Sequence, residues 1–356
     1  MRACASSEDL VCIYKDMSIL EFPSSAHFKQ EFPASEKAKA LVYSSRSSIS
    51  DILKGKDNRL LVVVGPCSIH DPEGSGLAYA RRLAEIVPRL SDRLLVVMRC
   101  YMEKPRSTIG WDGFVSDPSL KGEFDFKTGF TRARKLLLSV LELGVPVATE
   151  FLDVLSPQYL ADLLSWVAVG ARTAEGPAYR RMASGLDVPV GFKNGTSGNI
   201  QLSVDAVVTA NSPRGFLGIN EEGKVCEIHS DGNTACHIVL RGSIERGPNY
   251  DEEAVAKAME LLKEANLSPR LMIDCSHGNS NRDYRKQPGV FRNVLAQRCA
   301  GNKGIIGIMM ESNLLSGKQE LGDDPSKLQY GVSITDSCVG WEETAQLLQE
   351  AHDSLS

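Results

Sequence analysis

The chain has 356 residues, 42% of them hydrophobic and 24% charged, and carries a formal net charge of -5. That composition excludes disorder, collagen-like repeats or coiled coil as the main architecture. A net acidic chain also has no bulk attraction for nucleic acid or an anionic membrane, and no run approaches the roughly 18 apolar residues that span a bilayer.

The N-terminal MRACASSEDLVCIYKDM reaches acidic residues before any apolar core of signal-peptide length, so no export is expected. Nine cysteines are scattered at Cys4, Cys12, Cys67, Cys100, Cys226, Cys236, Cys275, Cys299 and Cys338, with no CxxC pair. This suits individual thiols in a reducing cytoplasm better than a disulfide framework. Length alone fits two domains, or one α/β barrel with extensions.

Residues up to about Gly55 form an N-terminal extension with one helix expected after Pro33, in FPASEKAKALVYSSRSSISDIL. From Leu60 onward, short apolar runs alternate with amphipathic stretches. The first strand is expected in LLVVVGPCSI to Ile69, followed by the helix ARRLAEIVPRL. The second, LLVVMRCY to Tyr101, precedes the helix ARKLLLSVLEL, and the third, VPVATEFLD to Asp153, precedes SPQYLADLLSW. In that helix Ser156 suits the N-cap and Pro157 the first helical position. Then come VAVGAR to Arg172, VPVGFKN to Asn194, HIVLRG to Gly242, LMIDCSH to His277 and IIGIMMESN to Asn313, with the helix YDEEAVAKAMELLKEANL before LMIDCSH.

Runs that are apolar throughout are what strands covered on both faces look like. Eight of them with intervening helices read as a (β/α)8 TIM barrel, with an open doubly wound sheet as the other candidate. Between the fifth and sixth strands, GFLGINEEGKVCEIHSDGN reads as an inserted β-hairpin around an EEGK turn. The expected division is residues 1–55 as extension and 56–356 as catalytic barrel, with the hairpin at about 215–236. The extension and hairpin suit oligomer contacts or a regulatory site, and packing against the barrel floor is the plainer alternative.

Charged residues gather where the strands end. Cys67 and His70 follow the first strand, Arg99 ends the second, and Glu103, Lys104 and Arg106 lie in its loop. Glu150 and Asp153 end the third, Arg172 the fourth, Lys193 the fifth and Arg241 the sixth. Asp274 and His277 end the seventh, Glu311 ends the eighth, and Asp336 lies in the loop beyond. In a parallel barrel these share the C-terminal rim, where barrel active sites are built. Burying so many charges for structure alone requires a partner for each. The basic set, Arg99, Lys104, Arg106, Arg172, Lys193 and Arg241, suits phosphate or carboxylate groups, and two anionic substrates account for its size better than one. Cys67, His277, Glu311 and Asp336 offer mixed S, N and O ligands for one divalent ion, Mn, Fe, Co or Zn.

GPCSIHD, EKPRSTIGWDG, ATEFLD, GARTAE, PVGFKNG, LRG, IDCSHGNSN, MMESN and QYGVSITDSC stand in the order seen in a known family. From about Leu60 to the end the chain resembles the type I 3-deoxy-D-arabino-heptulosonate 7-phosphate (DAHP) synthases. The extension and hairpin resemble the feedback-regulated subgroup. The resemblance implies a transferase of the shikimate pathway, condensing phosphoenolpyruvate with erythrose 4-phosphate. It implies metal ligands at Cys67, His277, Glu311 and Asp336, and phosphoenolpyruvate contacts at Arg99, Lys104, Arg172, Lys193 and Arg241, with Glu150 near the phosphate. The aldose phosphate then falls on Lys104, Pro105, Arg106 and Ser107, where Ser stands for the family's usual Thr and keeps the hydroxyl donor.

The same resemblance implies Lewis-acid action on the aldehyde oxygen, a donor or relay role for Lys104, and a water handled by His277. Cys67 and Cys338 form a candidate disulfide on metal-promoted oxidation. An aromatic amino acid inhibitor and a homodimer or homotetramer follow from the subgroup. Departures at Gly176–Pro177, at GTSG and at Asp187 bear on the regulatory pocket. The alternatives are condensation with arabinose 5-phosphate by a 3-deoxy-octulosonate 8-phosphate synthase-type enzyme, a Schiff-base aldolase using Lys104 or Lys193, and a catalytically silent barrel.

Overall fold

The computed structural model describes residues 19–106 and 108–355. Two helices come first, α1 (Ser25–Glu31) and α2 (Glu36–Lys54). Each is capped by the serine before it: Ser24 Oγ accepts from the His27 amide and Ser35 Oγ from the Ala38 amide. The barrel unit then alternates β1 (Leu60–Gly65), α3 (Leu77–Leu90), β2 (Leu94–Arg99), α4 (Phe126–Glu142), β3 (Val147–Glu150), α5 (Ser156–Leu160), β4 (Trp166–Val169), α6 (Pro177–Ser184), β5 (Val190–Lys193) and α7 (Gln201–Ala210). A hairpin, β6 (Arg214–Ile219) and β7 (Val225–Ser230), intervenes. The series closes with β8 (Cys236–Leu240), α8 (Glu252–Glu264), β9 (Leu271–Asp274), α9 (Gln287–Cys299), β10 (Ile305–Glu311) and α10 (Trp341–Ser354).

All strands but the hairpin form one closed parallel barrel in the order β1-β10-β9-β8-β5-β4-β3-β2. The expected barrel is therefore the fold, and the hairpin leaves it between the fifth and sixth barrel strands. Alternation along each strand divides the core. Leu61, Val63, Val97, Ala148, Trp166, Val239, Met272 and Met309 fill the interior, while Leu60, Val62, Val64, Met98 and Ile308 face the helices. Trp166 occupies the interior because Gly191 opposite carries no side chain; a Cβ there would stand 2.2 Å from the indole. Its Nε1 donates to His237 Nε2 at 3.3 Å. Burial pushes the His237 pKa down to about 4, so the ring is neutral and can accept.

The helix of the extension, α2, packs onto the floor of the barrel. Ile49, Ile52 and Leu53 join the interior cluster, and burying each such side chain contributes about 1.5–3 kcal/mol. The hairpin turn meets α1: the Ala26 amide donates to Glu221 O at 2.9 Å and Lys29 Nζ lies 2.8 Å from the Glu221 carboxylate. Among the described residues no helix is long and apolar enough to cross a membrane.

Several local expectations are corrected. The extension holds α1 as well as the helix after Pro33. Ser156 is the first residue of α5 rather than its cap, and its hydroxyl donates to Glu103 Oε1 at 3.3 Å. That helix stops at Leu160, a 3-10 turn follows, and Trp166 opens a strand. The strands also end one to four residues earlier than the apolar runs. Cys67, Cys100 and Phe151 therefore lie in loops, buried beneath other loops. Cys236 begins a barrel strand and lies outside the hairpin. Cys4 and Cys12 lie outside the described residues.

Candidate active site

Past the C-terminal ends of the strands, side chains from most of the barrel units line a cavity of about 210 Å³. Its wall includes Arg99 from β2, Lys104, Pro105 and Arg106 from the loop that follows, Glu150 from β3 and Arg172 from the turn after β4. Lys193 enters from β5, Arg241 just past β8, His277 just past β9 and Asp336 beyond β10. The rim position predicted from strand ends is thus where these residues meet. Ser107 lies outside the described residues, although Arg106, Thr108 and Ile109 on either side line the wall.

Arg99, Lys193 and Arg241 are buried, and a buried cation is tolerated only where anions or dipoles meet it. Arg99 Nη2 donates to Glu311 Oε1 at 3.1 Å, its Nε donates to the Pro66 carbonyl, and its guanidinium stacks 3.8 Å from the centre of the Tyr101 ring. Lys193 Nζ lies 3.0 Å from Asp274 Oδ2. Burial pushes the Arg241 pKa down, Asp274 pulls it up, and Arg282 and Arg172 push it down further. Like charges thus face one cavity, as an anion site requires.

The acidic cluster lies beside this wall. Cys67 Sγ and one carboxylate oxygen each of Glu311 and Asp336 lie within 4.8 Å of one another. His277 stands at the edge of that group, its Nε2 3.7 Å from Glu311 Oε1 and its Nδ1 3.0 Å from Asp274 Oδ2. Lys104 reaches into the cluster, donating to Cys67 Sγ at 2.7 Å and to Asp336 Oδ2 at 3.2 Å. Burial and the Glu311 carboxylate push the Cys67 thiol well up, while Lys104 opposes them. Lys104 holds the Asp336 carboxyl far below the carboxylate range, against burial. Burial disfavours the Lys104 ammonium, but Cys67 and Asp336 keep it above the ordinary lysine range. A thiol and carboxylates drawn around a protein cation, with an imidazole alongside, are a donor set that fits a divalent ion.

Backbone geometry presents the imidazole. His277 has φ 57°, Asn281 52° and Arg282 58°, and left-handed backbone at a non-glycine residue costs about 1–3 kcal/mol and collects at functional sites. Asp274 is fully buried; burial would push its carboxyl up, but Lys193 and His277 hold it well below the usual range. Its Oδ2 beside Nδ1 leaves Nε2 as the ring nitrogen that faces Glu311.

Sequence reasoning missed Arg282, which lines the cavity. Its only signal was the polar run NSNRDYRK after His277. Glu103, in the loop after β2, faces Ser156, whose hydroxyl donates to it. Burial and the nearby Asp153 push its pKa up to about 8.

The model of the DAHP synthetase I family matches residues 31–349. The chain is similar to the Escherichia coli phospho-2-dehydro-3-deoxyheptonate aldolase named Tyr-sensitive, with 50% identity over 96% of this chain and 94% of that protein. It is 48% identical to the E. coli aldolase named Phe-sensitive, over 92% of each. A solved phospho-2-dehydro-3-deoxyheptonate aldolase from Francisella tularensis superposes with a TM-score of 0.92 at 42% identity, covering 96% of this chain and 98% of that one. The chain belongs to the DAHP synthetase I family.

Proposed function

We propose that this chain is the transferase that joins phosphoenolpyruvate to erythrose 4-phosphate, releasing DAHP and phosphate at the entry of the shikimate pathway. The observation that carries this reading is the position of Lys104, which bridges the thiol–carboxylate cluster and lines the cationic cavity. Arg99, Lys104, Arg172, Lys193 and Arg241 take the phosphate and carboxylate of phosphoenolpyruvate, with Glu150 near the phosphate. Lys104, Pro105, Arg106 and Ser107 take the aldose phosphate. Holding two polyanions together in this way supplies a proximity effect of several kcal/mol.

The balanced reaction forms a bond from C3 of phosphoenolpyruvate to the aldehyde carbon, adds water at C2 and expels phosphate. Cys67, His277, Glu311 and Asp336 hold one divalent ion, Mn, Fe, Co or Zn, which when bound supplies Lewis acidity to the aldehyde oxygen. Lys104 donates a hydrogen bond to the oxygen that gains charge, and His277, oriented by Asp274, positions the water. Lys104 already donates to Cys67 and Asp336, which counts against a Schiff-base route through it, since that route needs a free neutral amine.

The regulatory reading rests on a second cavity of about 330 Å³ between α5, α6 and the hairpin. Pro157, Met182, Leu186, Phe216 and Ile228 give it apolar walls, and Gln158 and Arg181 give it polar groups. An aromatic amino acid suits that mixture. Pro177 opens α6 at its edge, while Asp187 lies 3.5 Å from Arg46 on the floor side. Exposed Ile19, Leu20 and Tyr43 on the extension suit a homodimer or homotetramer. Free thiols at the described cysteines suit the cytoplasm.

The deciding experiment assays chelated protein with each divalent metal restored, erythrose 4-phosphate and arabinose 5-phosphate in parallel, and each aromatic amino acid added in turn. Turnover only with erythrose 4-phosphate and only with metal supports the proposal; preference for arabinose 5-phosphate, or full activity after chelation, overturns it.

A further inference from the structure

Arg282 lines the catalytic cavity, and none of the proposed substrate contacts uses it. The turn that carries it is fixed at two points. The Arg282 amide donates to the His277 carbonyl at 2.7 Å, and the Ser337 hydroxyl donates to the Arg282 carbonyl at 3.1 Å. His277 stands at the thiol–carboxylate cluster, and Ser337 follows Asp336, which belongs to it. Positive φ at Asn281 (52°) and Arg282 (58°) makes the reversal sharp. Each such residue costs about 1–3 kcal/mol, and strain of this kind persists where the surroundings aim a side chain.

The guanidinium reaches the cavity with no acid of its own. Among the described residues no carboxylate lies within ion-pair distance of it: Asp283 holds Arg285 at 2.8 Å, and Asp336 holds Lys104 at 3.2 Å. Its field falls on both sides of the mouth. Lys104 is the main cation holding the Asp336 carboxyl down, and Arg282 adds to it. Burial is the main force pushing Arg241 down, and Arg282 and Arg172 add repulsion. Three arginines thus share one end of the cavity, and a polyanion relieves their repulsion. The strand order selects the anion. β9, whose loop carries Arg282, pairs directly with β8, which leads to Arg241. In contrast, β10 and β1 separate β9 from β2 and the loop with Arg106.

We infer that Arg282 is a further binding residue for the phosphate group of phosphoenolpyruvate, and for the inorganic phosphate released from it. This rests on the assignment of Arg172 and Arg241 to phosphoenolpyruvate. Arg282 is exposed, so its fork meets the phosphate oxygens that the buried cations leave toward solvent.

Calorimetric titration of phosphoenolpyruvate, and separately of inorganic phosphate, into Mn²⁺-loaded protein without the aldose reads this contact apart from turnover. Arg282→Gln keeps a Cβ at the same positive φ and removes an exposed charge, so the core is spared. It is expected to weaken both anions about tenfold, the scale of one charged hydrogen bond, and Arg282→Lys recovers part of the loss. In steady state, Arg282→Gln raises the KM for phosphoenolpyruvate and leaves that for erythrose 4-phosphate in place. Undiminished binding of both anions in Arg282→Gln overturns the contact. So does a rise confined to the KM for erythrose 4-phosphate, which would put Arg282 on the aldose phosphate. An equal loss for both substrates also overturns it, since a turn that merely shapes His277 would act on both. If Arg282→Gln weakens both anions while the parent fails to condense them with erythrose 4-phosphate, the contact stands and the proposed reaction falls.

Discussion

The Glu150 carboxylate lies directly against Gly170: a Cβ on that glycine would stand 2.0 Å from Oε1. A strand-end glycine thereby lets an acid from β3 reach across to the anion cavity. Gly170→Ala is expected to displace Glu150 and cut kcat/KM by about 10–100-fold, on the scale of misplacing one oriented group. Steady-state kinetics on both substrates checks this, and an unchanged kcat/KM would remove Glu150 from the site.

Cobalt loading tests the metal cluster independently of turnover. A Co²⁺ ion bound by Cys67 gives a sulfur-to-metal charge-transfer band in the near ultraviolet. Cys67→Ala is expected to lose that band, while Glu311→Gln keeps it at reduced affinity. A band that survives Cys67→Ala would place the ion elsewhere.

Glu103 makes stability depend on pH. Its folded pKa of about 8 lies above the unfolded carboxylate value of about 4.3. Between those values the unfolded chain releases a proton that the folded chain keeps, so stability falls as pH rises through this window. Glu103→Gln removes this slope. Its melting temperature should match the parent near pH 4, below the window, and exceed it by about 2 °C or more at pH 8, measured by calorimetry. A gap that does not widen with pH would show an ordinary carboxylate.

Cys338 is buried, and its thiol shares the electrostatic surroundings of Cys67. Exposure to oxygen with a redox-active metal is expected to remove these two thiols together. Dioxygen takes up the two electrons and two protons as hydrogen peroxide. Thiol titration before and after, with recovery by dithiothreitol, measures the pair; loss of neither thiol refutes it.

The barrel was legible because its strands are buried on both faces. Runs such as LLVVV and IIGIMM have no polar side, and that pattern separates a barrel strand from a surface one. The rim residues were legible for a related reason: Arg99, Lys193 and Asp274 are charges at the ends of such runs. Strand ends were less clear, because Cys100, Tyr101 and Phe151 stay apolar where other loops cover them. The α5 region misled because SPQYLADLLSW carries helical spacing, whereas Trp166 belongs to the barrel interior through a gap left by the distant Gly191. Arg282 stayed hidden because its approach depends on positive φ at Asn281 and Arg282, which a polar loop does not announce.

The seating of α2 on the barrel floor bears on protein engineering. A shortened clone beginning at the first strand would leave Leu61, Trp166 and Met272 at an open, oily mouth without Ile49 and Ile52 to stopper it. Such a product would clump before it could be assayed. In this chain, then, changes to the leading segment have to be made residue by residue, since amputating it removes the plug as well.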